Sequence, residues 1–395
     1  MNLLFYNTAE RVYRDAEDNL YVGGNFPDQM WKRYLNICDK LTVVMSDCSA
    51  LLSAEEEKIK KYPLNTDGFE LALLPHQYSS LKAFISPKRR RSTRKLQEKL
   101  LENADFVIIR VANSDIIKLC RKLNKPYLIE VVGCPWDAFW NHSLKGKLIA
   151  PYKFFVAKRN VKNAPYSLYV TKKFLQKRYP SKNKTMDCSD VTLNDFDENV
   201  LAERLNKIKN HNGIFVLGTA AAVDVKYKGQ QFVIKALAEL KKQGFTNFRY
   251  DIAGGGDPTF LLKTAREAGV AEQVNIIGAI PHEKIFDWLK TLDMYIQPSL
   301  QEGLPRSVIE AMSCAVPCMG TKIAGLPELI NERMLFGRKD IKGIVKLLKT
   351  LTPEDLADLA KENFENSKQY DVALLSKKRA EFYEDFRRFA ENYGK

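Results

Sequence analysis

Short apolar runs alternating with helix-length amphipathic stretches recur along the whole chain, and this rhythm restricts the fold more than any other feature. In the first half the runs are Leu3-Leu4-Phe5-Tyr6, Leu41-Thr42-Val43-Val44-Met45, Phe106-Val107-Ile108-Ile109 and Tyr127-Leu128-Ile129-Glu130-Val131-Val132. In the second they are Gly213 to Gly218, Phe248 to Ala253, Val274 to Gly278, Met294 to Gln297 and Val316 to Met319, with helical patterns near 229–243, 258–269, 282–291 and 305–314. Runs so short and so continuously apolar fit strands buried on both faces of a parallel sheet, and the intervening helices supply the cover. The expectation is an α/β chain of two Rossmann-like, doubly wound domains. At 395 residues the chain exceeds the roughly 250–300 residues beyond which one core stops growing. It has no short internal repeat, which argues against a solenoid.

The polar stretch between Tyr179-Pro180 and about Asn199, with Ser181-Lys182-Asn183-Lys184 leading to Asp187-Cys188-Ser189-Asp190, marks the boundary. Residues 1–190 are read as an N-terminal domain, 191–370 as a C-terminal domain and 371–395 as a closing helix. Leu375, Phe382, Tyr383, Phe386 and Phe389 give that helix an apolar stripe, which suits packing on either domain, including back on the first.

The formal charge of +14 is lopsided: residues 1–190 hold 33 Lys and Arg against 20 Asp and Glu, and the remainder 29 against 28. Its densest piece, Lys88-Arg89-Arg90-Arg91-Ser92-Thr93-Arg94-Lys95, suits a solvated loop or helix end, anionic lipid headgroups, or a polyanion. No apolar stretch nears the ~18 residues that span a bilayer, and the start is too short and uncharged for a secretory signal. The expected location is therefore the cytoplasm, with peripheral attachment to the inner face of the membrane as the further option. Seven cysteines without a CxxC pair read as buried thiols rather than a disulfide framework or zinc site.

The stretch richest in chemistry is Pro298-Ser299-Leu300-Gln301-Glu302-Gly303-Leu304-Pro305-Arg306-Ser307-Val308-Ile309-Glu310. It follows a strand, turns at Gly303 and starts a helix with Pro305 near its first turn, where a missing N–H is harmless. Such a start presents free backbone N–H groups and partial positive charge, which suits phosphate. Glu302 sits in the turn and Glu310 about 7 Å along the helix, so the two carboxylates can flank one elongated ligand.

Here the sequence resembles family 4 of the retaining glycosyltransferases, of the kind found in bacterial surface polysaccharide assembly. Glu302 and Glu310 fit its signature of two glutamates separated by seven residues, and Gly320 to Ile330 and Ala253-Gly254-Gly255-Gly256-Asp257 resemble its flanking loop and glycine turn. The likeness is strong over roughly 213–335 and rests mostly on topology over the first 190 residues. It implies the GT-B plan, two Rossmann-like domains facing each other across a cleft, and transfer of a sugar from a nucleotide-diphosphate sugar. UDP-sugars are expected ahead of GDP-sugars as donors, with a lipid-linked or polysaccharide glycan as acceptor and with no cofactor or metal.

By the same resemblance Glu302 contacts the donor sugar, Glu310 the ribose, and Lys228, just before Gly229, the diphosphate. Gly303, Leu304, Pro305, Gly254 and Gly255 line the donor. The family's arginine after the preceding strand is replaced by Gly218-Thr219-Ala220-Ala221-Ala222, leaving Lys226 or Arg306 to supply a second charge.

On the acceptor side, Gly23 and Gly24 are read as lying after the first strand, where backbone can approach a ligand closely. Val131 to Asp137 ends a predicted strand where open α/β sheets bind ligands. Trp136 is a candidate acceptor contact, and Asp137 or His142 a stand-in for the histidine that related enzymes carry near here.

Three rivals remain. A glycoside hydrolase sets its carboxylates ~5–9.5 Å apart around one bond and needs no diphosphate site. A sugar-nucleotide epimerase of the same fold would convert donor without an acceptor. A basic nucleic-acid-binding protein would contain a recognised module, and none is found, so nucleic acid is not expected as a partner.

Overall fold

The computed structural model describes every residue except 24–25, 27, 53–61, 76–85, 111–112, 142, 194–195 and 395. Its contacts form two units, one of Met1–Pro135, Pro151–Cys188 and Ser376–Lys395, the other of Trp136–Ala150 and Ser189–Leu375. The division is thus not a single cut near residue 190: Trp136–Ala150 groups with the second unit, and most of the closing helix, Val372–Glu391, with the first.

The first unit is built on β1 (Asn2–Arg14), β2 (Leu20–Val22), β3 (Lys40–Leu51), β4 (Tyr62–Pro63), β5 (Glu70–Pro75), β6 (Phe106–Arg110), β7 (Tyr127–Val131), β8 (Tyr166–Tyr169) and β9 (Lys184–Asp187). The parallel strands run β5-β3-β1-β6-β7-β8-β9, a doubly wound order with its reversal between β1 and β6. Leu3 lies opposite both Leu41 and Phe106, so the apolar runs of three separate segments meet in one buried layer.

Two readings need correction here. The polar stretch read as the domain boundary contains β9, which pairs with β8; its sequence, Lys-Thr-Met-Asp, is polar and half exposed because it caps the sheet edge. Gly23 follows not the first parallel strand but β2, which turns back antiparallel on the far end of β1. Gly24 lies outside the described residues.

The basic run falls in the helix Pro87–Glu102, capped by Ser86 and turned inward through Thr93, Gln97 and Leu101. Its cations lie in the first half of the helix, against the direction the helix dipole favours, and are mostly exposed to water.

The second unit repeats the plan with β10 (Phe215–Ala220), β11 (Phe248–Ala253), β12 (Val274–Gly278), β13 (Met294–Gln297), β14 (Cys318–Thr321) and β15 (Leu335–Phe336) in the order β12-β11-β10-β13-β14-β15. All its strand pairs are parallel, and the reversal lies between β10 and β13. The helices Gln230–Lys242, Thr259–Glu267 and Ile341–Thr350 pack together, as do His282–Thr291, Arg306–Ser313, Pro353–Ser367 and Glu198–Lys209. The alternation of apolar runs and helices therefore produces two α/β doubly wound units.

Candidate active site

The site of the second unit forms where β10 and β13 part, the place at which open α/β sheets leave a crevice beyond their strand ends. From β10 the chain runs through Ala221 and Ala222 to a tight turn, Lys226–Lys228, closed by Gly229 at φ +83°. From β13 it runs through Pro298 to Glu302 and into the helix Arg306–Ser313. Gly229 lets these two loops press together, because a Cβ there would lie 2.0 Å from the Pro298 carbonyl oxygen. Leu300 N donates to Tyr227 O at 2.7 Å and Ser299 Oγ to Lys228 O at 3.4 Å, locking the contact.

That contact carries Lys228 to Glu302, with Nζ 2.9 Å from Oε1. Burial pulls the lysine's pKa down, but the Glu302 carboxylate more than offsets it, and the net shift is upward. The same oxygen accepts from Gln297 Nε2 at 3.0 Å, and that amide also donates to Ser299 Oγ at 2.8 Å. Gln297 Oε1 in turn accepts from Tyr295 OH at 3.0 Å, and Tyr295 OH accepts from Ala220 N at 3.1 Å. A buried relay thus ties the end of β10, through two residues of β13, to the Glu302 carboxylate. With Oε1 engaged twice, Oε2 is the oxygen left for a further donor; among the described residues none is bonded to it.

The fold brings Lys228 and Glu302, both singled out from the sequence, together with Tyr295, Gln297 and Ser299, which were not. The available signal was a glutamine ending an otherwise apolar strand, Met-Tyr-Ile-Gln, at the ligand-facing end of the sheet.

Beyond Glu302, Gly303 O accepts from Gly325 N at 3.0 Å, pinning the turn against the loop after β14. Leu304 is half-buried, and Pro305 is the buried cap residue of the helix, which has no side-chain cap of its own. Its first N–H groups therefore lack an intrahelical partner. Arg306 is exposed in this first turn, while Lys226 is drawn aside over the Phe260 ring, 4.5 Å from its centroid. Glu310 is buried in the same helix; burial first, and then its negative charge among other influences, raise the pKa of the Tyr295 phenol.

The triple glycine has a packing role that the sequence did not reveal. Gly254 passes so close to the β10 loop that a Cβ would stand 2.0 Å from Ala221 O, and its N–H donates to Gly278 O at 2.7 Å. Val223 N donates to Gly255 O at 3.1 Å, so this turn and the loop after β10 are laced together.

The remaining candidates lie on other elements. Asp137 belongs to the second unit, where it is buried with Arg338 at 3.7 Å. The same short helix, Pro135–Trp140, stacks Trp136 on Trp140 at 5.2 Å, and the following Asn141 donates to Leu300 O at 3.3 Å. Gly23, in the first unit, donates its N–H to Glu10 at 2.7 Å, so this amide is engaged by a carboxylate. His142 lies outside the described residues.

The comparisons with known proteins converge on this unit and extend beyond it. The family model described as glycosyl transferases group 1 matches residues 203–370. Protein CapJ of Staphylococcus aureus is 30% identical over 357 residues, covering 88% of this chain and 85% of CapJ. The amylovoran biosynthesis glycosyltransferase AmsK of Erwinia amylovora is 32% identical over 159 residues, 38% of each chain. Among solved structures, Anabaena HepE in complex with UDP-glucose superposes with a TM-score of 0.63 at 14% identity, covering 96% of this chain and 98% of HepE. Sequence, architecture and the laced strand-end site agree: the chain belongs to the group 1 glycosyl transferases and is a glycosyltransferase of the GT-B fold class.

Proposed function

We propose that this glycosyltransferase is a retaining enzyme that moves a sugar from a UDP-sugar to a lipid-linked or polysaccharide glycan at the cytoplasmic face of a membrane. The observation that carries the reading is the Lys228–Glu302 pair beside an uncapped helix start, at the strand-order reversal of the second unit. Without donor the two charges satisfy each other. When donor binds, Lys228 turns to the diphosphate and Glu302 to sugar hydroxyls, while Glu310 takes the ribose.

The bond from the anomeric carbon to phosphate then breaks and negative charge passes to the leaving UDP. Lys228 and the N–H groups of the helix start stabilise that charge as it develops. Arg306, exposed in the same turn, is better placed than Lys226 to add a second cation. The acceptor oxygen bonds the anomeric carbon from the face the phosphate leaves, and its proton passes to a phosphate oxygen, so no protein nucleophile is needed. Asp137 is given no proton to move: beside Arg338 it anchors its short helix.

AmsK, named for amylovoran biosynthesis, and HepE, which holds UDP-glucose, support the choices of a polysaccharide acceptor and a UDP-sugar donor. The test is nucleotide release from UDP-, GDP- and ADP-sugars, with and without membrane lipid extract, beside Glu302→Ala. One donor consumed faster with lipid, with the anomeric configuration kept in the product, is the expected result. Conversion of donor in the absence of acceptor would replace this reading with an epimerase.

A further inference from the structure

Glu302 has two partners of different kinds. Lys228 reaches it along a flexible four-carbon stem and carries a full charge, so an anionic ligand competes for it. Gln297, the last residue of β13, is neutral, only 1% exposed and engaged at both polar atoms of its side chain. Its Nε2 donates to Glu302 Oε1 at 3.0 Å and to Ser299 Oγ at 2.8 Å, while its Oε1 accepts from Tyr295 OH at 3.0 Å. Tyr295 and Ser299 are themselves fully buried.

The neighbours of Gln297 fix which way its amide points. Tyr295 OH accepts from Ala220 N at 3.1 Å, which leaves its own proton to give. Gln297 Oε1 is the nearer acceptor for it, at 3.0 Å against 3.5 Å for Ala220 O. Ser299 Oγ gives its proton to Lys228 O at 3.4 Å and so meets the amide as an acceptor. A flipped amide would set its oxygen against the Glu302 carboxylate. The bonds therefore run in one sense, from the backbone of β10 to Glu302, with a branch through Ser299 to the backbone of Lys228.

A diphosphate draws a lysine, but it gives a neutral, buried amide nothing to move toward. Once Lys228 has turned to the donor, the bond from Gln297 is the contact that Glu302 keeps. With Oε1 held, Oε2 points one way; with both oxygens released, the carboxylate turns about its side-chain torsions.

We propose that Gln297 is a positioning residue for sugar transfer: it holds Glu302 Oε1 after Lys228 has left, so that Oε2 stays aimed at the donor sugar, and Tyr295 acts through it by fixing the amide. An acceptor kept in place before the reaction acts on rate more than on affinity, because its bond to the sugar counts most in the transition state. The inference rests on the assignment of Glu302 to the donor sugar, and the experiment lets the two fail separately.

The experiment is a double-mutant cycle on the full chain, with Gln297→Met, Glu302→Ala and both together. Transfer is measured with the nucleotide sugar that the donor panel singles out, and binding with its bare nucleoside diphosphate. Gln297→Met keeps the length of the side chain and removes its hydrogen bonds. It should lower kcat roughly tenfold to hundredfold, with affinity for the nucleoside diphosphate within about twofold of wild type. In the Glu302→Ala background the same substitution should cost nothing further, since a residue that acts through Glu302 has nothing left to position. Tyr295→Phe removes one hydroxyl and reads the same cycle should Gln297→Met not fold; its loss in kcat should be smaller and should also vanish beside Glu302→Ala. A loss of the same factor in both backgrounds marks Gln297 as packing and overturns the inference, as does full activity of Gln297→Met. Full activity of Glu302→Ala overturns the assignment of Glu302, and the inference with it.

Discussion

The parallel strands of the two units share one order over six positions, to which the first adds β9, and the two units use their strand ends in opposite ways. In the first, β1 continues for 13 residues and turns back into β2, whereas its counterpart β10 stops after six and leaves its end open. In the first, the buried Glu130 at the end of β7 is fully engaged: Arg110 at 2.8 Å, Tyr34 OH at 2.8 Å and Tyr383 OH of the closing helix all reach it. In the second, Glu302 has one oxygen engaged and one available, and its cation is the flexible Lys228. Topology offers a crevice in both units. A network closed by its own chain uses up the polar groups in one, and a pair that a ligand can divide keeps them usable in the other.

Two substitutions break this comparison most sharply. Glu302→Ala should lower sugar transfer by about 10²–10³-fold, the scale of losing one preorganised charge or hydrogen bond in a transition state, with a modest change in thermal midpoint. Glu130→Ala should do the reverse, removing about 3–5 kcal/mol of stability by taking away the buried carboxylate that Arg110, Tyr34 and Tyr383 share, while changing transfer by no more than a few-fold. Steady-state rates and denaturant melts on both proteins read the contrast. Equal effects on rate from both would mean that the first unit's network belongs to the chemistry. The upward shift at Lys228 sharpens the point through pH. Its pairing contributes fully below the unfolded lysine value of about 10.4 and is lost only as pH rises through the higher folded value. Transfer should therefore show no loss from this group up to about pH 10.

Gly229→Ala is the next largest. The left-handed backbone and the 2.0 Å approach to Pro298 O mean that the added methyl must part the two loops. We expect a loss of about 1–3 kcal/mol and a drop in kcat/KM exceeding what the melting shift predicts, because Lys228 is carried away from Glu302. A melt shifted without any kinetic change would show that the loops can separate with the site intact.

Why some of this was readable from sequence and some was not follows from the range of the interactions. The helix pattern near 282–291 matches the observed bounds, and 305–314 differs by one residue at each end, since period and caps are local. Lys228 and Glu302 were legible because each stands beside a glycine turn with a recognisable spacing. Gln297 and Ser299 were not, since their roles depend on two loops meeting across the sheet. The grouping of Trp136–Ala150 with the second unit was hidden for the same reason: Asn141 to Leu300 spans 159 residues, and no local signal encodes it. β9 went unseen because a polar edge strand lacks the apolar run that identified the others.

The smallest prediction tests whether the closing helix is only architecture. Asp385 on that helix accepts from Tyr166 OH at 2.6 Å and lies 2.6 Å from Lys184 Nζ on β9. Burial pushes its carboxyl pKa up, but the bonds from Lys184 and Tyr166 outweigh that and hold it below the ordinary value. A depressed folded value stabilises above the unfolded pKa of about 3.9 and is lost as pH falls through the folded one. Because the side chain is 40% exposed, solvent screening keeps the contribution under about 1 kcal/mol. Asp385→Asn should melt slightly below wild type near neutral pH, with the gap closing as pH falls through the depressed folded value of the carboxyl, and transfer at neutral pH should be unchanged. If the substitution instead slows transfer as Glu302→Ala does, the closing helix takes part in the reaction, and the contrast between a sealed first unit and an open second one fails.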